Sequence, residues 1–530
     1  MKQRSFLTLL MFALMTVILA ACSGGGSNES AKDPADRTPV EGGDLVVAVL
    51  SDAQSLDPAS TNDTSSSAVQ ANIFERLIVR NSDNELAPSL AESWESIDEN
   101  TWEFKLREGV KFHDGTDFNA EAVKINLERI LDPEVASPRY FLFQMIDEIT
   151  VIDEYTVQIK TEYPFSPLLA HLSHTGSGMV SPAVIAEDYE AMKAGKIAGT
   201  IINDKPIGTG FFTFESWTPD DRIKLVRNED YWGDKPHVDT VTFQVSPESA
   251  TRNADLERGF VQITDPVQPI EVNSINESNF GSVFQKPSSG LSYIGFNMNK
   301  KPFDDKRVRQ AITMMVNRAE IIDGIYEGFG IPAVGPLAPG IFGYDDSLEP
   351  IEYDVEKAKQ LLADAGYADG FKTTIWTNDS DQRTDTAIML QHALKEVNID
   401  IDIEQLEWGA YLAKTAAGEH DMFIHGWSNP PGDADYGLYA LFNSAQHGDA
   451  GNRSFYNNPE VDALLDEGRR EADPEKRMAI YKEIQEILID DAPLIFVHHQ
   501  EYLVGLSNDI IGFDMDTSGI YNLQNVQFVE

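Results

Sequence analysis

Phe371-Lys372-Thr373-Thr374-Ile375-Trp376, then Asp385 to Val397, then Ile399-Asp400-Ile401-Asp402-Ile403: these three runs decide the fold class. The first is apolar and β-branched enough to read as a strand. The second carries Ile388, Met389, Ala393 and Leu394 at helical spacing, which predicts a helix with those residues facing the core. The third alternates Ile with Asp, the period of a strand with one buried face. Strand, helix and strand at this spacing imply a parallel βαβ unit, hence an α/β architecture.

Working outward, Asp354 caps a helix through Ala358, Leu361 and Leu362 that stops at Gly366. Met422-Phe423-Ile424-His425 is a further strand, running into a loop from Gly426 to Asp435. Asp473-Pro474 opens a long helix with a cap and a first-turn proline, and its apolar stripe is Met478, Ile480, Ile484, Ile487 and Leu488. In the first half, Leu45 to Leu50 is a continuous apolar run and reads as a buried strand. It leads into Ser51-Asp52-Ala53-Gln54-Ser55-Leu56-Asp57-Pro58. Loops at that end of a strand line ligand crevices in open α/β sheets, which makes Ser55 a candidate contact. Thr101 to Leu106 alternates as a half-buried strand. The chain turns at His113-Asp114-Gly115-Thr116, and Asn119 caps a helix through Ala122, Val123, Ile125, Asn126 and Leu127.

The N-terminus reads as a targeting segment. Lys2 and Arg4 precede an apolar run from Phe6 through Leu19, broken only by Thr8 and Thr16. That run is short for a transmembrane helix and suits a secretory leader. It ends at Leu19-Ala20-Ala21-Cys22, which resembles the lipobox of bacterial lipoproteins, where the thiol receives a diacylglycerol and cleavage leaves Cys22 first. Residues 1–21 are thus expected as signal peptide and 22–43 as lipidated cysteine and tether. Gly24, Gly25, Gly26, Pro34 and Pro39, with almost no apolar content, leave that tether nothing to bury, and its r.m.s. reach is roughly 25 Å. Cys22 is the only cysteine, so disulfides, thiol catalysis and Cys-based zinc sites are excluded from the body.

Hydrophobic content of 42% is that of a globular chain, and the body is long enough for two or three full cores. The net charge of −46 repels nucleic acid and acidic surfaces, so an anionic ligand group needs a locally placed cation. Hydrolase signatures are missing: there is no Gly-x-Ser-x-Gly and no His-Glu-x-x-His. His171 and His174 have metal-ligand spacing without a third ligand nearby, so a surface or interlobe role is expected. His498 and His499 are adjacent strand residues that point to opposite faces and cannot readily share an ion. Asp379, Asp381 and Asp385 suggest a calcium loop, but Arg383 and Thr384 stand where it needs an oxygen ligand and a glycine. No enzyme, cofactor or metal is expected.

A set of segments, in order, closely resembles the oligopeptide, dipeptide and nickel class of ABC-transporter substrate-binding proteins, solute-binding protein family 5. They are Ser55-Leu56-Asp57-Pro58; Leu90-Ala91-Glu92-Ser93-Trp94; Leu106-Arg107-Glu108-Gly109-Val110-Lys111-Phe112-His113-Asp114-Gly115; Pro206-Ile207-Gly208-Thr209-Gly210; Arg227-Asn228 with Tyr231-Trp232; and Pro302-Phe303-Asp304-Asp305 with Val308-Arg309-Gln310-Ala311. The resemblance implies a two-lobed, hinged α/β periplasmic-binding-protein-like fold of type II, with an extra subdomain inserted in lobe 1. The boundaries expected are 44–75, 206–290 and 505–530 for lobe 1, 76–205 for the insert, and 291–504 for lobe 2. It also implies a monomer that binds no nucleic acid, works outside the cytoplasm on its lipid anchor, and hands its solute to an ABC permease.

Peptide-like solutes carry a carboxylate and an ammonium, and a buried site must answer both. Arg383 matches the arginine that pairs with the peptide carboxylate in dipeptide-binding relatives. On the amine side, many relatives read Gly-Trp, two residues, then an aspartate. Here Gly426-Trp427-Ser428-Asn429 is followed by Pro430, which has no charge to offer. Asp433 and Asp435 remain, in Gly432-Asp433-Ala434-Asp435-Tyr436, a run that looks most like the glutathione-binding branch. The resemblance therefore implies glutathione or a short peptide held by Arg383, Trp427, Asp433 or Asp435, and Tyr436, with a second cation or a ring of N–H donors that sequence does not identify. A di- or oligopeptide or a nickel chelate is the alternative ligand.

Overall fold

A computed structural model describes residues 37–81, 85–449 and 451–530. The leader, Cys22 and most of the tether lie outside the described residues. Two large sheets carry the architecture. The first has seven strands in the order Gly281–Pro287, Glu501–Ser507, Ile263–Asp265, Asp44–Val49, Thr240–Val245, Arg222–Arg227, Phe212–Thr218. Asp44–Val49 lies parallel to both of its neighbours and is covered on both faces, which is why its sequence is continuously apolar. The second sheet has six strands: Ile331–Pro332, Leu494–His499, Leu291–Phe296, Met422–Trp427, Phe371–Thr377, Ile399–Gln405. Phe371–Thr377 pairs parallel with Ile399–Gln405 from Phe371↔Ile399 to Thr377↔Gln405, the crossover expected from sequence. A third, antiparallel sheet of four strands spans Ala91 to Thr161, within the segment between two strands of the first sheet.

The chain passes between the large sheets at residues 288–290 and again at Gln500. These two connectors run side by side: Ser288 N–H donates to Gln500 O (3.1 Å), and His499 Nδ1–H donates to Gly290 O (3.0 Å). Such short paired connectors are where a hinge can act. The second crossing puts Glu501–Ser507 on the first sheet, a few residues earlier than the boundary expected at 504.

Helix caps follow the sequence closely. Asn119, Asp354 and Asp473 each accept a hydrogen bond from a backbone N–H in the first turn. The crossover helix differs from expectation. It spans Asp381–Lys395 and buries Thr386, Ala387, Leu390 and Leu394, while Ile388 stands 39% exposed. A face at spacings of three and four through Ala387 leaves Ile388 a further 100° round, toward water. The long helix Pro474–Asp491 buries Ile480, Ile484 and Leu488 as expected, but also Arg477, Tyr481 and Gln485. No helix among the described residues is long and apolar enough to cross a membrane.

The loop after the first strand is framework. Asp57 accepts hydrogen bonds from both terminal nitrogens of Arg129 (3.0 and 2.7 Å), and Arg129 also meets Asp188 (3.2 Å); all three are buried. Ser55 Oγ bonds Asn203 Oδ1 (3.0 Å) and accepts the Asp57 N–H. The expectation that Ser55 faces the ligand is therefore corrected: its hydroxyl is used within the loop. Removing the one cation of this triad leaves two buried carboxylates. Arg129→Leu is expected to lower stability by about 3–5 kcal/mol, read as a lower urea midpoint. A change under about 1 kcal/mol would mean that solvent already screens the triad.

Candidate functional site

Parallel strands of both large sheets aim their carboxyl ends at one cavity of about 330 Å³. Val49 and Asp265 reach it from the first sheet, and Gly426 and Trp427 from the second, with Asn378 just past its own strand. That is where open α/β sheets place ligands, and the volume lies in the small-molecule range.

The wall from the second sheet is cationic. Arg383 lies in the first turn of its helix, half-buried, with one terminal nitrogen donating to Asn378 Oδ1 (2.9 Å) and the guanidinium 5.7 Å from the Trp408 ring centroid. It has no carboxylate partner among the described residues. Arg453, 5% exposed, donates to Leu412 O (3.2 Å) and meets only Asp449 (3.3 Å), a carboxylate largely in water. Between them stands His425, flanked by Trp408 and Tyr411. Burial first, then the charges of Arg383 and Arg453, hold its imidazole well below the usual range, so it is neutral. Its Nδ1 and the indole N–H groups of Trp408 and Trp427 have no hydrogen-bond partner among the described residues. Those three atoms are themselves closed off from water, so the charge this wall presents to the cavity is that of Arg383 and Arg453.

The wall from the first sheet carries Asp265, half-buried, followed by Pro266. Burial pushes its carboxyl up to about 6, against the opposing pull of Arg252. Tyr436 joins the two sides. Its ring packs on Trp427 (centroids 5.4 Å apart), and its hydroxyl meets His174 Nε2 (3.0 Å). His174 Nδ1 accepts the Gly176 N–H, so Nε2 carries the hydrogen and donates to Tyr436.

Trp427, Arg383 and Tyr436 thus line one cavity, while Asp433 and Asp435 do not. Asp433 caps Ala434–Phe442 and takes a bidentate pair from Arg477 (2.7 and 2.6 Å). Asp435 is fully buried; a terminal nitrogen of Arg469 donates to its Oδ2 (3.3 Å), and Arg469 Nε (3.0 Å) and His171 Nε2 (3.2 Å) lie close by without hydrogen-bond alignment. The expectation that either receives the amine is corrected: both are already neutralised behind the wall. His171 and His174 are buried, not on the surface, and meet Asp435 and Tyr436. No cluster of three His, Cys, Asp or Glu among the described residues is placed to hold a metal. Sequence reasoning missed Arg453, which lies in an aperiodic loop. It also missed Asp265, whose only signal was a short Ile-Thr-Asp-Pro strand end.

Arg469 first, then His171, outweigh burial and hold Asp435 down at about 2. Its folded pKa lies below the unfolded value, so its contribution is present above about pH 4 and lost as pH falls toward 2. Asp435→Asn strands Arg469 and is expected to cost about 3–5 kcal/mol at pH 7, while flattening the loss of stability between pH 4 and 2 in urea titrations. Unchanged stability with lost solute affinity would return Asp435 to the solute.

Comparison with known proteins places the chain in a family. Residues 85–449 match Bacterial extracellular solute-binding proteins, family 5 Middle. The chain is 33% identical over 497 residues to a glutathione-binding protein GsiB of Pectobacterium atrosepticum, covering 92% of this chain and 94% of that one. Among solved structures it is similar to DppA of Helicobacter pylori in complex with peptide STSA (TM-score 0.86, 32% identity, 93% and 99% coverage). It is also similar to AppA of Bacillus subtilis in complex with a nonapeptide (TM-score 0.86, 25% identity, 93% and 100% coverage). A two-lobed α/β fold, a cavity between its sheets and a family match over most of the length lead to one conclusion: the chain belongs to family 5 of the bacterial extracellular solute-binding proteins, a class of substrate-binding receptors for transport.

Proposed function

We propose that this chain captures glutathione, or a short peptide of similar chemistry, between its lobes and delivers it to the permease of an ABC importer. It does so as a monomeric receptor outside the cytoplasm, anchored through lipid on Cys22, and it performs no chemistry on the solute. One observation carries the reading: Arg383 points a guanidinium with no carboxylate partner among the described residues at the cavity. Arg453 supplies the second cation that a ligand with two carboxylates requires. The relatives named for glutathione binding support the narrower choice. A cavity of this size suits a di- or tripeptide better than a long chain.

Titration calorimetry tests this directly. Arg383→Ala is expected to weaken binding of any carboxylate-bearing ligand by about 100-fold. Arg453→Ala should weaken glutathione by about 30-fold and alanyl-alanine, with its single carboxylate, far less. Tight dipeptide binding with no response to glutathione would defeat the narrower claim. Turnover of a labelled peptide would defeat the receptor reading as a whole.

A further inference from the structure

We propose that Asp265, on the first sheet, is the anion that takes the solute's ammonium, which makes the amine the group that ties the two lobes together. The inference rests on the peptide-like ligand proposed above.

Among the described residues, the carboxylates at the cavity wall and just behind it differ in how fully they are answered. On the second-sheet side, Asp433 and Asp435 face Arg477 and Arg469, and Asp449 meets Arg453. On the first-sheet side, Asp52 accepts the N–H groups of Ala53, Trp217 Nε1 and Asp220. Asp63 caps the helix Thr64–Gln70 and also takes the Thr61 hydroxyl. Asp265 accepts no hydrogen bond to its carboxylate among the described residues, although its own carbonyl is used by Leu50 N–H (3.2 Å). Glu501, near the hinge, is the other unpaired acid of the wall.

Asp265 is distinguished from Glu501 by its position. It ends a strand parallel to Asp44–Val49, opposite Val49 in register, so it sits on the inner lip of the first sheet and not at the connector. Tyr502 and Tyr521 line the cavity beside it, near enough that its charge helps raise both their hydroxyl pKa values. Arg252 approaches from behind, but its terminal nitrogens donate to the carbonyls of Ser246, Pro247 and Pro266 (2.7, 2.8 and 2.8 Å). A carboxylate held in such surroundings is costly to ionise until a cation arrives. The solute's carboxylates fall to Arg383 and Arg453 on one lobe, and its ammonium to Asp265 on the other. A ligand without the amine would then touch mainly one lobe and could not shift the open–closed balance.

The test pairs the full chain with glutathione and its des-amino analogue, glutaryl-cysteinyl-glycine, read by calorimetry and small-angle scattering. Wild type should bind the des-amino analogue about 30-fold more weakly and without the compaction that glutathione causes. Asp265→Asn should weaken glutathione by a similar factor, leave the analogue within about threefold, and melt no lower than wild type. Glu501→Gln should change neither. Equal losses for both ligands in Asp265→Asn, no discrimination by wild type, or the expected pattern in Glu501→Gln instead would each overturn the assignment. If wild type ignores glutathione but binds alanyl-alanine, the glutathione reading fails alone. The same cycle with propionyl-alanine then decides Asp265, and a chain that binds neither amine overturns both.

Discussion

A charge withdrawn from water must meet an opposite charge, and in this molecule that constraint separates scaffold from site. The buried groupings Asp57–Arg129–Asp188, Asp433–Arg477 and Asp435–Arg469 are closed on themselves. Each is expensive to break and has nothing left to offer a guest. Arg383, Arg453 and Asp265 stand apart at the cavity, two cations on the second-sheet wall and a carboxylate on the first, while Arg139, which also lines it without a carboxylate partner among the described residues, is used by Asn62 Oδ1. In a chain of net charge −46 the cationic wall is a local inversion of the global field.

The architecture makes those exceptions useful. Both large sheets present strand ends to the same space, and among the described residues the chain crosses between them only through the paired connectors near Gly290 and Gln500. A zwitterion whose poles fall on different walls contacts both lobes only when they approach, so binding and closure become one equilibrium. Tyr436, packed on Trp427 and bonded to His174, adds a protein contact at the same cavity.

Much of the fold was legible because its signals are local. Alternation in Ile399–Gln405 and the caps at Asn119, Asp354 and Asp473 depend on a few neighbouring residues, and the structure realises each one. The crossover helix started four residues early because Ser380 precedes a polar first turn that carries no apolar period. That early start places Arg383 on a helix instead of a loop. The site was harder to read, for a physical reason. An aspartate in a sequence does not reveal which arginine it will meet: Asp433 and Asp435 find theirs 44 and 34 residues onward, on two other helices. Conversely, Asp265 and Arg453 matter because nothing nearby fully answers them, and the lack of a partner is a property of the folded surroundings alone.

The most direct measurement is a crystal structure of this protein grown with glutathione. The account requires the two carboxylates against Arg383 and Arg453, and the ammonium within hydrogen-bonding distance of Asp265. Density that leaves both arginines facing solvent, or places the ligand outside the space between the sheets, would contradict it.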